Sequence, residues 1–331
     1  MKPRVTLKEV AIETGLSMMT VSKYVNGVHI REENAKLIDA ALKKLKYEPN
    51  AAARNLRMNR SMTIGALISS LSDTFQAKII KGAERVLVEK GVGLIVCDYD
   101  EDTQLFEDRL HFLRSKQIDG LITMASDDGG KLLSEIQKDI PIVHVDYPLD
   151  DFEGDLVTSD NRESSRRIVL HALEKGYRRI ALIAGKPYSY TSQECVRGYK
   201  EALRRYGVEV KPEYITYGNY TAEGGRACTQ QLLSLEEKPE VVFVINGMMA
   251  QGMLHLFQSS SMVVGRDIAV IGRDLMTVGD VYYPRITSVE QQPERLGDET
   301  AKLLLRRIAG DRESFPSHVM LRSILVEGAS L

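Results

Sequence analysis

The run Ser17-Met18-Met19-Thr20-Val21-Ser22-Lys23-Tyr24-Val25-Asn26 carries hydroxyls, an amide and an ammonium at the spacing of a short helix. Thr20, Ser22 and Asn26 are types that contact phosphate oxygens, which position a protein on a nucleic acid without reading its sequence. Met18 and Met19 lead the run. Neighbours on a helix point about 100° apart, so the two cannot both face one core. At least one is then an exposed apolar side chain in need of a partner, such as a base edge or thymine methyl. Lys23 follows about one turn later. Catalysis has no comparable footing. Gly91-Val92-Gly93 precedes a strand-like run and lacks a third glycine, so it is not a dinucleotide loop. The sequence contains no P-loop, no Gly-x-Ser-x-Gly elbow and no paired-histidine metal motif, and its six histidines are scattered. Cys97, Cys195 and Cys228 lie far apart, which predicts buried structural thiols rather than a disulfide framework or zinc site. No enzyme activity, metal or resident cofactor is expected.

The elements around residues 17–26 fit the same chemistry. Thr6-Leu7-Lys8-Glu9 reads as a capping box, with Leu7, Val10 and Ala11 at helical spacing behind it. Gly15 stops that helix, Ser17 caps a second one from Met18, and Gly27 ends it. Two short helices joined by a tight glycine-containing turn form a helix-turn-helix signature, whose second helix enters the major groove. A third helix is predicted over about Glu32 to Lys46, with Ala35, Ile38, Leu42 and Leu45 inward. Pro49 breaks it, Asn50 can cap, and Ala51-Ala52-Ala53-Arg54-Asn55-Leu56-Arg57 favours a helix of two turns, marginal alone in water. Such a segment is expected to fold against DNA and a partner chain. Leu56, its one large apolar residue, sits between Arg54 and Arg57 as a wedge for the minor groove would.

The charge distribution agrees. Residues 1–60 hold 12 Lys/Arg against 6 Asp/Glu, and the remainder 32 against 40. A basic head on an acidic body directs phosphate to the head. At 331 residues, 43% hydrophobic and 27% charged, the chain has room for a well-buried core and more than one domain. The amino terminus lacks an apolar signal region and no run is long enough to span a bilayer, so a cytoplasmic protein without membrane contact is expected.

Beyond Ser61 strand-like and helical runs alternate. Strands are predicted at Thr63–Ile68, Val92–Cys97, Gly120–Met124, Pro141–Val145, Ile180–Ala184, Val241–Ile245 and Asp267–Ile271, with helices such as Phe75–Lys90, Asn161–Lys175, Ser192–Tyr206 and Pro293–Ile308. Continuous apolar strands separated by helices imply parallel sheets covered on both faces. Two such α/β units fit the length, with ligands expected at the carboxyl ends of strands near the cleft between them.

In combination and order, Thr6-Leu-Lys-Glu-Val-Ala11, Gly15 through Lys23, Asn26-Gly27 and Tyr47-Glu-Pro-Asn50 through Leu56 resemble the LacI/GalR family of bacterial repressors, and the resemblance extends over essentially the whole chain. It implies a helix-turn-helix domain at residues 1–48, a hinge helix and linker at 49–60, and two doubly wound, periplasmic-binding-protein-like lobes. The amino-terminal lobe would comprise 61–160 and 291–321, the carboxyl-terminal lobe 161–290 and 322–331. Crossings are expected near Asp160–Arg162, Glu290–Pro293 and Met320–Arg322. About nine residues follow the last, without heptads, so a homodimer rather than a tetramer is the expectation. The implied function is sequence-specific repression, of a carbohydrate-utilisation operon, through a palindromic double-stranded operator. The implied DNA-contacting set is Thr6, Ser17, Met18, Met19, Thr20, Ser22, Lys23, Asn26, Asn50, Ala53, Arg54 and Leu56.

The implied effector is a sugar or sugar derivative held by Phe75, Asp146, Cys195, Tyr220, Asn246, Asp274 and Gln291. Several positions depart from the family pattern. Lys23 stands for the usual Arg, and Arg31 occupies the usual Ser cap of the third helix. Cys195 replaces the Arg of Arg-x-x-Gly-Phe/Tyr, and Arg197 lies about 200° further round the helix, too far to substitute. Gly247 replaces the Asp of Asn-Asp-x-Met-Ala. A monosaccharide held in the usual way would lose charge-assisted bonds of roughly 1.5–3 kcal/mol each. Control by a protein corepressor is therefore the second reading, and a solute-binding module with an incidental basic head the third.

Overall fold

The computed structural model describes residues 5–25, 28–47, 60–125, 129–275 and 282–331. Asn26 and the expected hinge residues Asn50, Ala53, Arg54 and Leu56 lie outside the described residues. The chain divides into two compact units, Met1–Ser61 and Met62–Leu331.

The first unit contains α1 (Leu7–Thr14), α2 (Met18–Val25) and α3 (Glu32–Leu45). The Glu9 carboxylate accepts from the Thr6 amide at 2.6 Å and from the Thr6 hydroxyl at 2.9 Å, which fixes the first turn of α1. Gly15, at φ 67°, ends α1 in the left-handed conformation that glycine adopts at least cost. Val10, Ala11, Val21, Ile38 and Ala41 form the buried centre, with Leu42 and Leu45 packed at its edge. Helix α3 stops one residue before the predicted end, because Lys46 turns to φ 50°. Ala35 is half-buried, and Ala41 takes the deeper inward place instead.

The second unit is built on two six-stranded sheets. The first joins β1 (Thr63–Ile68), β2 (Gly93–Asp98), β3 (Gly120–Thr123), β4 (Ile142–Asp146), β5 (Asp155–Ser159) and β11 (His318–Leu321), in the order β2-β1-β3-β4-β5-β11. The second joins β6 (Ile180–Ala184), β7 (Ile215–Tyr217), β8 (Val241–Val244), β9 (Ala269–Arg273), β10 (Thr287–Glu290) and β12 (Ile324–Val326), in the order β7-β6-β8-β9-β10-β12. All pairings are parallel except β10 with β12. Parallel strands need covered faces, and both sheets have them. On the first, α4 (Thr74–Glu89) and α11 (Pro293–Ile308) lie together, while α5 (Thr103–Ser115) and α6 (Gly130–Ile136) supply Phe106, Leu110, Leu113, Leu133 and Ile136 to a separate apolar cluster. The second is packed by α7 (Asn161–Glu174), α8 (Tyr190–Arg205), α9 (Ala222–Leu233) and α10 (Gly247–Ser259). A strand order of the 2-1-3 type reverses winding direction beside its first strand, and the carboxyl ends there form a natural ligand crevice.

The chain passes between the sheets after β5, after β10 and between β11 and β12. These passages are tied together. Asp160 accepts from the Ser323 amide at 2.7 Å and hydroxyl at 2.6 Å, and Gln292 Nε2 donates to the Arg322 carbonyl at 2.7 Å. Across the two halves Tyr147, just past β4, and Tyr190, at the start of α8, lie with ring centroids 6.5 Å apart and planes 24° from parallel.

Candidate nucleic-acid interface and effector cleft

The α2 surface begins at a well-made cap. Ser17 Oγ accepts from the Thr20 amide at 3.1 Å and lies 2.9 Å from Thr20 Oγ1. Val21 is fully buried, which turns the helix so that Met18 and Met19 are 55% and 69% exposed. Both methionines, not one, are therefore solvent-facing on the leading turn. Lys23 is exposed, and Thr20 and Ser22 are half-buried beside it. The Thr6 hydroxyl, given to Glu9, sits on the exposed start of α1. Arg31 precedes α3 without a side-chain cap bond, so nothing replaces the serine cap expected there.

In the second unit the residues expected to line an effector cleft stand at strand ends and helix starts, except Cys195, which lies within α8. Asp146 closes β4 with φ 92° and is half-buried. Burial raises its carboxyl to about 6, Arg273 lowers it, and Asp274 and Asp73 push it up again. Tyr220, at φ 63°, packs its ring over Gly185 at the end of β6, and its hydroxyl is 2.8 Å from Ser189 Oγ. Burial raises that phenol to about 12, so it stays a neutral donor and acceptor. Asp274 accepts twice from Gln291, from the amide at 2.9 Å and from Nε2 at 2.7 Å, and pairs with Arg273 Nη1 at 2.7 Å. Phe75 is half-buried at the start of α4, against the first sheet's core. Asn246 is spent differently: its Oδ1 caps α10 by accepting from the Met249 amide at 3.1 Å. Cys195 is fully buried on α8, where burial pushes its thiol up. Cys97 and Cys228 are buried and free as well, as the sequence predicts for structural thiols.

Electrostatics bring Asp146, Cys195, Tyr220 and Asp274 to one place, because all four act on Arg273. That residue is the main one that sequence reasoning passed over. It ends β9, is 3% exposed, and reaches Asn161 Oδ1 with Nη2 as well as Asp274 with Nη1. A charged residue closing the apolar run Ala269-Val270-Ile271-Gly272 was the available signal. Asn161, the first residue of α7 and within the first expected crossing, is 3% exposed, and its Oδ1 accepts from Arg273 Nη2. Among the described residues no group of three or more His, Cys, Asp or Glu is placed to hold a metal, and no helix is long and apolar enough to cross a membrane.

Comparison with known proteins is consistent with both halves. Residues 6–50 match the family model described as bacterial regulatory proteins, lacI family, and residues 169–331 match the periplasmic binding protein-like domain. The HTH-type transcriptional repressor PurR of Mannheimia succiniciproducens is 30% identical over 95% of this chain and 96% of its own length. This chain belongs to the lacI family. The ribose operon repressor of Escherichia coli strain K12 is likewise 30% identical, over 92% of this chain and 93% of the relative. Among solved structures, the lac repressor dimer bound to operator and the anti-inducer ONPF superposes with a TM-score of 0.86 at 25% identity, covering 99% of each chain. The transcriptional regulator CelR in complex with cellobiose gives 0.74 at 28% identity, covering 99% of this chain and all of that one. These relatives are transcriptional repressors and regulators, not enzymes, and the two-lobed α/β body with a helical head is the fold the sequence predicts.

Cys195, where the family pattern leads one to expect an arginine, is buried on α8, and the buried guanidinium near it is that of Arg273 at the end of β9. Arg197, two residues along α8, is exposed and bonds the buried Glu194 one turn back.

Proposed function

We propose that this protein is a transcriptional repressor that binds a palindromic operator as a homodimer and responds to a small-molecule effector held between its lobes. The observation that carries the reading is the exposed Met18–Met19 pair on the capped leading turn of α2. Two adjacent exposed methionines have no use in a monomeric helical head but suit base edges and thymine methyls in a major groove. Residues 1–48 form the reading head, with Thr6, Ser17, Thr20, Ser22, Lys23 and Asn26 completing its contacts. Residues 49–60, including Asn50, Ala53, Arg54 and Leu56, form the hinge that folds on operator. Residues 61–160 with 291–321, and 161–290 with 322–331, are the lobes. Phe75, Asp146, Cys195, Tyr220, Asn246, Asp274 and Gln291 line the effector site. The repressors of the ribose operon and the CelR–cellobiose complex favour a carbohydrate-utilisation operon as the target.

The test is binding of the full chain to palindromic and random-sequence duplexes at two salt concentrations. Selection of a palindrome above the salt-sensitive background is expected, and its absence would sink the proposal. Leu56→Ala is expected to weaken operator binding and reduce bending while leaving the dimer intact. Control by a protein corepressor is a second reading, favoured by the loss of the helix-borne arginine at Cys195. A thermal-shift screen of sugars, sugar phosphates, nucleobases and amino acids separates the two, because a ligand of the native state raises its stability.

A further inference from the structure

Among the described residues the carboxylates of the cleft outnumber its cations, and two without an ion-pair partner are Asp146 and Glu290, whose Oε2 is a buried atom with no hydrogen-bond partner. Arg273 is the cation acting on Asp146, while Asp274 and Asp73 add like charge. Glu290, held by the Leu275 amide and by Ser288, brings another carboxylate beside Asp274 and Arg273. Arg273 is already engaged: Nη1 lies 2.7 Å from Asp274 and Nη2 bonds Asn161. Its charge is therefore met by its own chain neighbour, and among the described residues no donor bonds the Asp146 carboxylate. Asp146 is also held in the left-handed region, a conformation that costs a non-glycine residue energy and collects at ligand sites.

A second set of observations lies beside this carboxylate surplus. Among the described residues, nothing hydrogen-bonds the buried polar atoms Arg273 Nε, Asn161 Nδ2 and Gln291 Oε1, on residues 3%, 3% and 7% exposed. Buried polar atoms left unpaired are expensive, so a site holding several of them is built to be completed by something else. The two donors call for an oxygen or nitrogen acceptor, and Gln291 for a donor. A phosphate or sulfate would satisfy the donors but would sit among Asp146, Asp274 and Glu290. Their repulsion disfavours any anion.

We propose that the cleft takes a small ligand carrying a protonated amine, which pairs with the Asp146 carboxylate while a neutral acceptor on the same ligand meets Arg273 Nε and Asn161 Nδ2. Arg273 then determines specificity by neutralising Asp274, which leaves Asp146 as the charge to be recognised. The inference rests on the interlobe cleft being the effector site.

The test uses the full chain and pairs of probes that differ only in the amine: glucosamine with glucose, mannosamine with mannose, galactosamine with galactose. Glucose 6-phosphate is the anionic control. Calorimetric titration is expected to show one or more amino sugars binding about tenfold tighter than the parent sugar, equivalent to about 1.4 kcal/mol. In Asp146→Asn that preference should fall to near parity, with circular dichroism showing the fold retained. Equal or tighter binding of every parent sugar, tighter binding of glucose 6-phosphate, or a preference that survives Asp146→Asn would each overturn the inference. A parent sugar that releases operator, and ceases to in Tyr220→Ala, would remove the amine and leave the cleft as the effector site. Silence from every probe overturns the inference, and silence across the wider small-molecule screen moves the effector reading to a protein corepressor.

Discussion

Gln291 grips Asp274 with two bonds, one from its backbone amide at 2.9 Å and one from its side chain at 2.7 Å. The second passage between the sheets begins at that residue, so the passage is fastened to the end of β9. The same carboxylate neutralises Arg273, whose guanidinium is almost wholly buried. Asp274→Ala removes two hydrogen bonds and strands a buried cation, a change that typically costs about 3–5 kcal/mol. Urea unfolding of the body should show a loss of that order. Asp274→Asn, which retains an acceptor for the Gln291 amide, should lose less. Equal stability of the alanine variant and the parent would show that the pair contributes nothing net.

In the head, stability and recognition belong to different residues of one turn. Ser17→Ala deletes the cap on the Thr20 amide and should cost the head about 1 kcal/mol. Met18→Ser and Met19→Ser change exposed side chains, and surface changes of this kind stay within about 0.5 kcal/mol. Operator affinity should nevertheless fall for both methionine variants, with the loss depending on the bases they face. Melting curves and operator titrations on the same samples check the division. A methionine variant that melts like the parent and binds operator equally would remove that residue from the reading set.

The head was legible almost to the residue, because its signals are local: a capping box at Thr6 and Glu9, a glycine stop at Gly15, a serine cap at Ser17. Strands of the body with continuous apolar runs, such as Thr63–Ile68 and Ile180–Ala184, were equally plain. Strands β5, β7 and β10 to β12 were not. They are three to five residues long, and all but the apolar β12 carry polar residues, such as Asp155, Thr216 and His318, that partners distant in sequence satisfy. Asp155, for instance, is buried because Arg307, 152 positions away, meets it with two bonds of 2.7 and 3.0 Å. The cleft falls between these cases. Asp146, Tyr220 and Asp274 follow strands and could be picked out, whereas Arg273 shows locally only as a charge closing an apolar run, and its ion pair and asparagine contact join residues that the local pattern does not link.

Helices α4 and α11 approach through a reciprocal pair of glycines. A Cβ on Gly82 would overlap the Glu294 carbonyl, and one on Gly297 would overlap the Ile79 carbonyl. Backbone occupies both positions, so no rotamer change can relieve the overlap. Gly297→Ala should force the helices apart and cost about 1–3 kcal/mol, the range for overpacking in a tight core. A control is Gly310→Ala, where the strain is backbone φ of 91° and a Cβ meets open space. Thermal unfolding that ranks Gly297→Ala no worse than wild type would contradict the close approach.

Two neighbouring residues of β4 give the body opposite responses to acid. His144 is fully buried, edge-on to Tyr147 at 5.7 Å and near Phe152, and burial lowers its imidazole from 6.5 to about 3; among the described residues neither ring nitrogen has a hydrogen-bond partner. The folded state therefore binds fewer protons there than the unfolded state between those values. Its stability contribution is whole above about pH 6.5 and is lost progressively as pH falls toward 3. Asp146 works the other way. Its carboxyl is raised from 3.8 to about 6, so the folded state takes up a proton first and gains stability as pH falls from 6 toward 4. Between pH 6 and 4 the two oppose one another, and below 4 only the histidine loss continues. Unfolding free energies of the parent, His144→Leu and Asp146→Asn at several pH values should separate them. His144→Leu should flatten the acid limb below pH 6.5, and Asp146→Asn should steepen it between 6 and 4. A His144→Leu curve that runs parallel to the parent throughout would mean that this imidazole is not the group resisting its proton.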